Sequence, residues 1–124
     1  MHKQGKKKIL AVVEDLMFTV KISDAAKRAG LTPEFVQSEA DVLDRAKQNP
    51  RLIIFDLNAN TVEPLKLISA LKSSAETRGI SLIGYLSHIQ GELKQQAHDA
   101  GADMVMARSA FSQNLQQILK RHAG

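Results

Sequence analysis

Four short clusters in the chain carry residues that could do chemistry. They are the adjacent acids Glu14-Asp15, Asp56 with Asn58 two places on, Ser87-His88, and Arg108-Ser109. Each closes or directly follows an apolar run. Three carboxylates, a hydroxyl and a cation brought to one place suit phosphoryl chemistry. Clustered carboxylates repel unless a cation joins them, and Mg²⁺, which takes hard oxygen ligands and keeps several waters, is the natural guest. A carboxylate beside it can attack a phosphoryl group while the metal and an arginine offset charge on the transferred oxygens and a hydroxyl holds one of them. A lone Asp or Asn at a strand end also serves as an ordinary turn residue. The coincidence of Asp56 with Glu14-Asp15 favours chemistry, whereas Ser109 also reads as the N-cap of the last helix.

The elements that must position these residues follow from apolar patterning. Lys8 to Val13 reads as a buried strand running into the acidic pair, and Arg51 to Asn58 as one that carries Asp56 at its carboxyl end. Pro33 to Gln37 is a weak strand suited to a sheet edge. Ile80 to Leu86 and Met104 to Ala107 complete a set of five. Between them, Phe18, Ile22, Ala25 and Ala29 repeat at helical spacing and stop at Gly30. Ser38-Glu-Ala-Asp41 has the form of a capping box, and its helix ends at Asn49-Pro50. A third helix opens near Thr61, with Glu63 and Pro64 in its first turn. Leu93, Ala97 and Ala100 mark a fourth, closed by Gly101. Phe111, Leu115, Ile118, Leu119 and His122 form the clearest amphipathic stripe.

Strict strand–helix alternation with unbroken apolar strands predicts a doubly wound, flavodoxin-like α/β domain: five parallel strands with helices on both faces. In such a sheet the strands deliver their carboxyl ends, and so all four clusters, to one edge, where ligands gather.

Composition narrows the function classes. The chain has 124 residues and no cysteine, which excludes disulfides, thiolate chemistry and Cys-based zinc sites. No apolar run is long enough to span a bilayer, so a cytoplasmic location without membrane association is expected. The net charge of +4 traces to Lys3, Lys6, Lys7 and Lys8, and the remainder is balanced. Residues 1–7 are expected to form a flexible basic tail ahead of one domain over 8–124. Nucleic-acid binding is disfavoured by the lack of interleaved aromatics. The dispersed His2, His88, His98 and His122 have no metal-ligand spacing. Neither G-x-G-x-x-G nor a Walker motif occurs, which disfavours a nucleotide-cofactor enzyme.

Across nearly its full length the chain resembles the receiver domain of two-component response regulators. Glu14-Asp15 falls at the family's Mg²⁺ position, Asp56 at its phosphoacceptor, Gly101-Ala-Asp103 at the run before the fifth strand, and Arg108 at its lysine. The resemblance implies a Mg²⁺ site of Glu14, Asp15, Asp56 and the Asn58 backbone carbonyl. It also implies phosphorylation of Asp56 by a histidine kinase or phosphotransfer protein, and signalling through a downstream protein partner. No enzyme activity is expected beyond slow loss of the aspartyl phosphate. The departures mark an atypical receiver. Leu86 stands at the hydroxyl position, with Ser87 one residue late as the available hydroxyl. Arginine replaces lysine, Val105 replaces the switch aromatic, for which Tyr85 could substitute, and Ala59-Asn60 replaces Met-Pro. The alternative is a pseudo-receiver that is not phosphorylated and binds a partner constitutively.

Overall fold

The computed structural model describes residues 7–87 and 91–123. The elements run β1 (Lys8–Val12), α1 (Leu16–Arg28), β2 (Thr32–Phe35), α2 (Glu39–Ala46), β3 (Leu52–Asp56), α3 (Pro64–Ser73), β4 (Ser81–Leu86), α4 (Gly91–Ala100), β5 (Met104–Ala107) and α5 (Arg108–Ala123). The strands form one five-stranded sheet in the order β2-β1-β3-β4-β5, with every pairing parallel. The chain reverses its direction of strand addition between β1 and β3, so the crevice at their carboxyl ends is where a doubly wound sheet can hold a ligand.

Successive strand residues point to opposite faces, and the core divides accordingly. Leu10, Val12, Ile53, Phe55, Leu82 and Leu86 pack on one face against Val42, Leu67, Ile68 and Ala97 from α2, α3 and α4. Ile9, Ala11, Leu52, Ile54, Ile83 and Tyr85 pack on the other against Phe18 and Ile22 of α1 and Phe111 and Leu115 of α5. β2 is one of the two edge strands, and Glu34 within it is held by Lys8 at 3.2 Å and Arg45 at 3.4 Å.

Local signals explain most boundaries. Ser38 Oγ accepts from the Asp41 N–H at 3.2 Å, the expected cap of α2. Gly30 follows α1 with φ of 78°, a left-handed stop. Three expectations shift. The third helix begins at Pro64 rather than near Thr61, because the amides of Asn60 and Thr61 are drawn onto Glu14 instead of into a helical turn. α5 begins at Arg108, which places Ser109 inside its first turn and not at its N-cap. Lys7, assigned to the basic tail, bonds Ala123 O through Nζ at 2.7 Å and accepts from the Thr32 N–H at 2.8 Å. The rest of that tail, residues 1–6, and His88 lie outside the described residues.

A clasp of non-local bonds sets the approach to β4 and β5. Lys72 Nζ donates to Ile80 O at 2.9 Å and to Asp103 Oδ2 at 3.0 Å, and that carboxylate also accepts the Leu82 N–H at 2.8 Å. Gly101, with φ of 121°, lies under the stem of Lys72, where a Cβ would come within 2.5 Å of Lys72 Cγ. The Gly-Ala-Asp run is therefore explained by packing. Replacing Asp103 by alanine leaves the Leu82 N–H and the Lys72 ammonium without their shared acceptor, and is expected to cost about 1–3 kcal/mol in urea denaturation with an unchanged m-value.

Candidate functional site

The carboxyl ends of β1, β3, β4 and β5 enclose an open cavity of about 230 Å³ lined by Glu14, Asp15, Asp56, Asn58, Tyr85, Ser87 and Arg108. Glu14, Asp15, Asp56, Asn58, Ser87 and Arg108 therefore meet in one place, Tyr85 joins them, and Ser109 is not part of the lining.

The three carboxylates have different partners. Glu14 follows the buried end of β1 and is exposed; its Oε2 accepts from the N–H groups of Asn60 and Thr61, both at 2.6 Å. Those bonds, chiefly from the Thr61 backbone and then its side chain, hold the Glu14 carboxyl below its ordinary range. Asp15 is the N-cap of α1, accepting from the Met17 N–H at 2.7 Å, and its other oxygen pairs with the guanidinium of Arg108. That guanidinium also lies over the Phe18 ring, 4.9 Å from its centroid. The pair ties the start of α1 to the start of α5 across the cavity.

Asp56 ends β3 partly buried and has no cationic partner within 4.0 Å among the described residues. Its Oδ1 accepts from the Asn58 N–H at 2.9 Å, and Asn58 Oδ1 accepts in turn from the Ser87 N–H at 2.8 Å. This relay ties the loop after β3 to the end of β4. Burial pushes the Asp56 carboxyl above its ordinary range, the Asn58 N–H works against that, and the charge of Glu14 adds to it.

Below the carboxylates sits an aromatic stack. Tyr85 is the Cα register partner of Asp56. Its ring lies 4.8 Å from Phe18 and 4.9 Å from Phe111, centroid to centroid. Burial first, and the Asp56 charge second, push its phenol well above the usual tyrosine range, so the group stays protonated. Sequence reasoning considered Tyr85 only as a stand-in switch aromatic. The available signal was its strand position, one pleat from the site on the same face as Asp56.

As arranged, no three Asp, Glu or His side chains among the described residues converge on a single ion position. The donor types suit a hard cation, but Glu14 is turned to the loop amides and Asp15 to Arg108.

No protein-family model and no curated protein matches the chain. Solved structures do. A response regulator from Hahella chejuensis superposes with a TM-score of 0.83 at 20% identity, covering 94% of this chain and 95% of that one. The phosphorylated cyanobacterial phytochrome response regulator RcpA gives 0.77 at 20% identity, covering 94% and 91%. The Mn²⁺-bound form of response regulator Rcp1 gives 0.75 at 13% identity, covering 93% and 90%. The chain has the receiver fold. Leu86 is buried with the α3 and α4 side chains, and Val105 is buried on the same face. Ser87 is exposed on the cavity wall. Among the described residues no helix is long and apolar enough to cross a membrane.

The raised Asp56 carboxyl has a thermodynamic consequence. A group whose folded pKa is raised contributes stability below its unfolded pKa and loses it as pH rises through the folded value. Asp56→Asn is therefore expected to melt a few degrees above wild type at neutral pH. The difference should shrink toward zero once pH falls below the ordinary aspartate range, as followed by thermal melts across a pH series.

Proposed function

We propose that the chain is a receiver module that accepts a phosphoryl group on Asp56 and signals through protein–protein contact. The observation that supports it is the asymmetry among the three carboxylates. Two backbone amides stabilise the Glu14 carboxylate and the Arg108 guanidinium pairs with Asp15, whereas Asp56 faces an open cavity with raised basicity, a single N–H donor and, among the described residues, no cation. A more basic carboxylate is the better nucleophile. An Asp56 oxygen would bond to phosphorus as the bond to the donor's leaving atom breaks and its electron pair departs with the donor.

The chain's own groups have definable parts in this reading. Asn58 holds Oδ1 and so presents the other oxygen. The Ser87 hydroxyl on the wall could hold a phosphoryl oxygen, and Arg108 could offset its charge by turning from Asp15. A divalent cation would be held by Glu14, Asp15, Asp56 and the Asn58 carbonyl, and would supply further charge neutralisation on the transferred oxygens. The Mn²⁺-bound and phosphorylated structural neighbours support this reading. A histidine kinase or phosphotransfer protein would be the donor. Leu16, Met17 and Val20 of α1 are 76%, 62% and 59% exposed beside the acidic pair, an apolar surface suited to such a contact.

Two observations favour the second reading, a pseudo-receiver. Arg108 already supplies a cation to Asp15, and Leu86 removes the usual hydroxyl. Amide NMR separates the two. With Mg²⁺ and beryllofluoride, shifts are expected around Asp56 and Ser87 in wild type and none in Asp56→Asn. No response in wild type, with a response regained in Arg108→Ala, would establish that the arginine has replaced the metal and that the module is not phosphorylated.

A further inference from the structure

The phenol oxygen of Tyr85 is buried and has no hydrogen-bond partner among the described residues. Buried polar groups in native proteins are nearly always paired, and an orphaned donor points to a group that arrives from outside the protein. The ring gives no reason to carry the hydroxyl. It packs on both Phe18 and Phe111 at centroid distances of 4.8 and 4.9 Å, in a three-ring cluster in which those two lie 6.0 Å apart, and the whole residue is only 2% exposed. Phenylalanine would fill that stack equally well, without an unpaired O–H. Yet the residue borders the cavity, and it stands directly across from Asp56 in the β3–β4 register. Parallel strands in register project paired residues to the same face, so carboxylate and phenol share one side of the sheet.

We infer that Tyr85 supplies the anion-binding hydroxyl of this site, donating a hydrogen bond from its phenol oxygen to the phosphoryl oxygens carried on Asp56. The role replaces the hydroxyl that Leu86 lacks, by a side chain rising from the adjacent β4 position on the opposite face of the sheet. It also couples occupancy to the α1–α5 face, because the same ring packs on Phe18 and Phe111. This inference rests on Asp56 being the acceptor. The proposal makes Tyr85 a binding residue for the anion and assigns the exposed Ser87 the lesser part.

The chain has one tyrosine and no tryptophan, so its tyrosine emission reports this position alone. Titration of the full chain with beryllofluoride and Mg²⁺ is expected to change that emission in wild type but not in Asp56→Asn. Amide NMR titration should show Tyr85→Phe binding beryllofluoride about tenfold or more weakly, with a melting temperature equal to or above that of wild type. Equal affinity in wild type and Tyr85→Phe would overturn the role of Tyr85 while leaving Asp56 as acceptor. So would loss of affinity in Ser87→Ala alone, or a fall in affinity matched by loss of folded structure in Tyr85→Phe. No binding by wild type would overturn the acceptor reading, and the role of Tyr85 with it.

Discussion

Three carboxylates share one cavity, and their mutual repulsion is the constraint around which the rest of the molecule is arranged. Each is answered differently. Glu14 is met by two backbone amides at 2.6 Å, which holds Asn60 and Thr61 out of a helical turn and postpones α3 to Pro64. Asp15 is met by the guanidinium of Arg108, which locks the two helices of one face together at their first residues. Asp56 receives a single N–H, from Asn58, and its carboxyl is raised. The fold thus concentrates the unmet charge of the cluster on one oxygen pair.

The sheet determines what surrounds that pair. With β3 and β4 in parallel register, Asp56 lies beside Tyr85, while Leu57 and Leu86 turn to the opposite core. Gly84 is required there, since a Cβ would approach the Leu57 side chain to 2.9 Å. The cavity rim is therefore built on strands, and its adjustable parts are the β3–α3 loop and the Arg108 side chain. Arginine at this position holds a delocalised charge between a carboxylate and an aromatic face, a seat that a lysine ammonium would fill less well.

Much of this was readable from sequence, because it depends on local pattern. Apolar runs ending in acids located the strands, capping residues located helix ends, and alternation implied the parallel sheet that gathers those acids. What could not be read rests on contacts between distant residues. Nothing local to Thr61 says that Glu14 will claim its amide. The partnership of Asp15 with Arg108 spans most of the chain and leaves no trace in local pattern. Tyr85 reads as core from its neighbours, and only the register beside Asp56 brings the residue to the cavity.

The central claim is that Asp56, and no other carboxylate of the cluster, is the phosphoryl acceptor. It is tested most directly by chemical trapping. The chain is incubated with a small-molecule acyl phosphate and a divalent cation, reduced with borohydride, digested and sequenced by mass spectrometry. An aspartyl phosphate is reduced to homoserine, so the account predicts homoserine at position 56 and unmodified Glu14 and Asp15. Intact aspartate at position 56 under conditions that label a known receiver would contradict it.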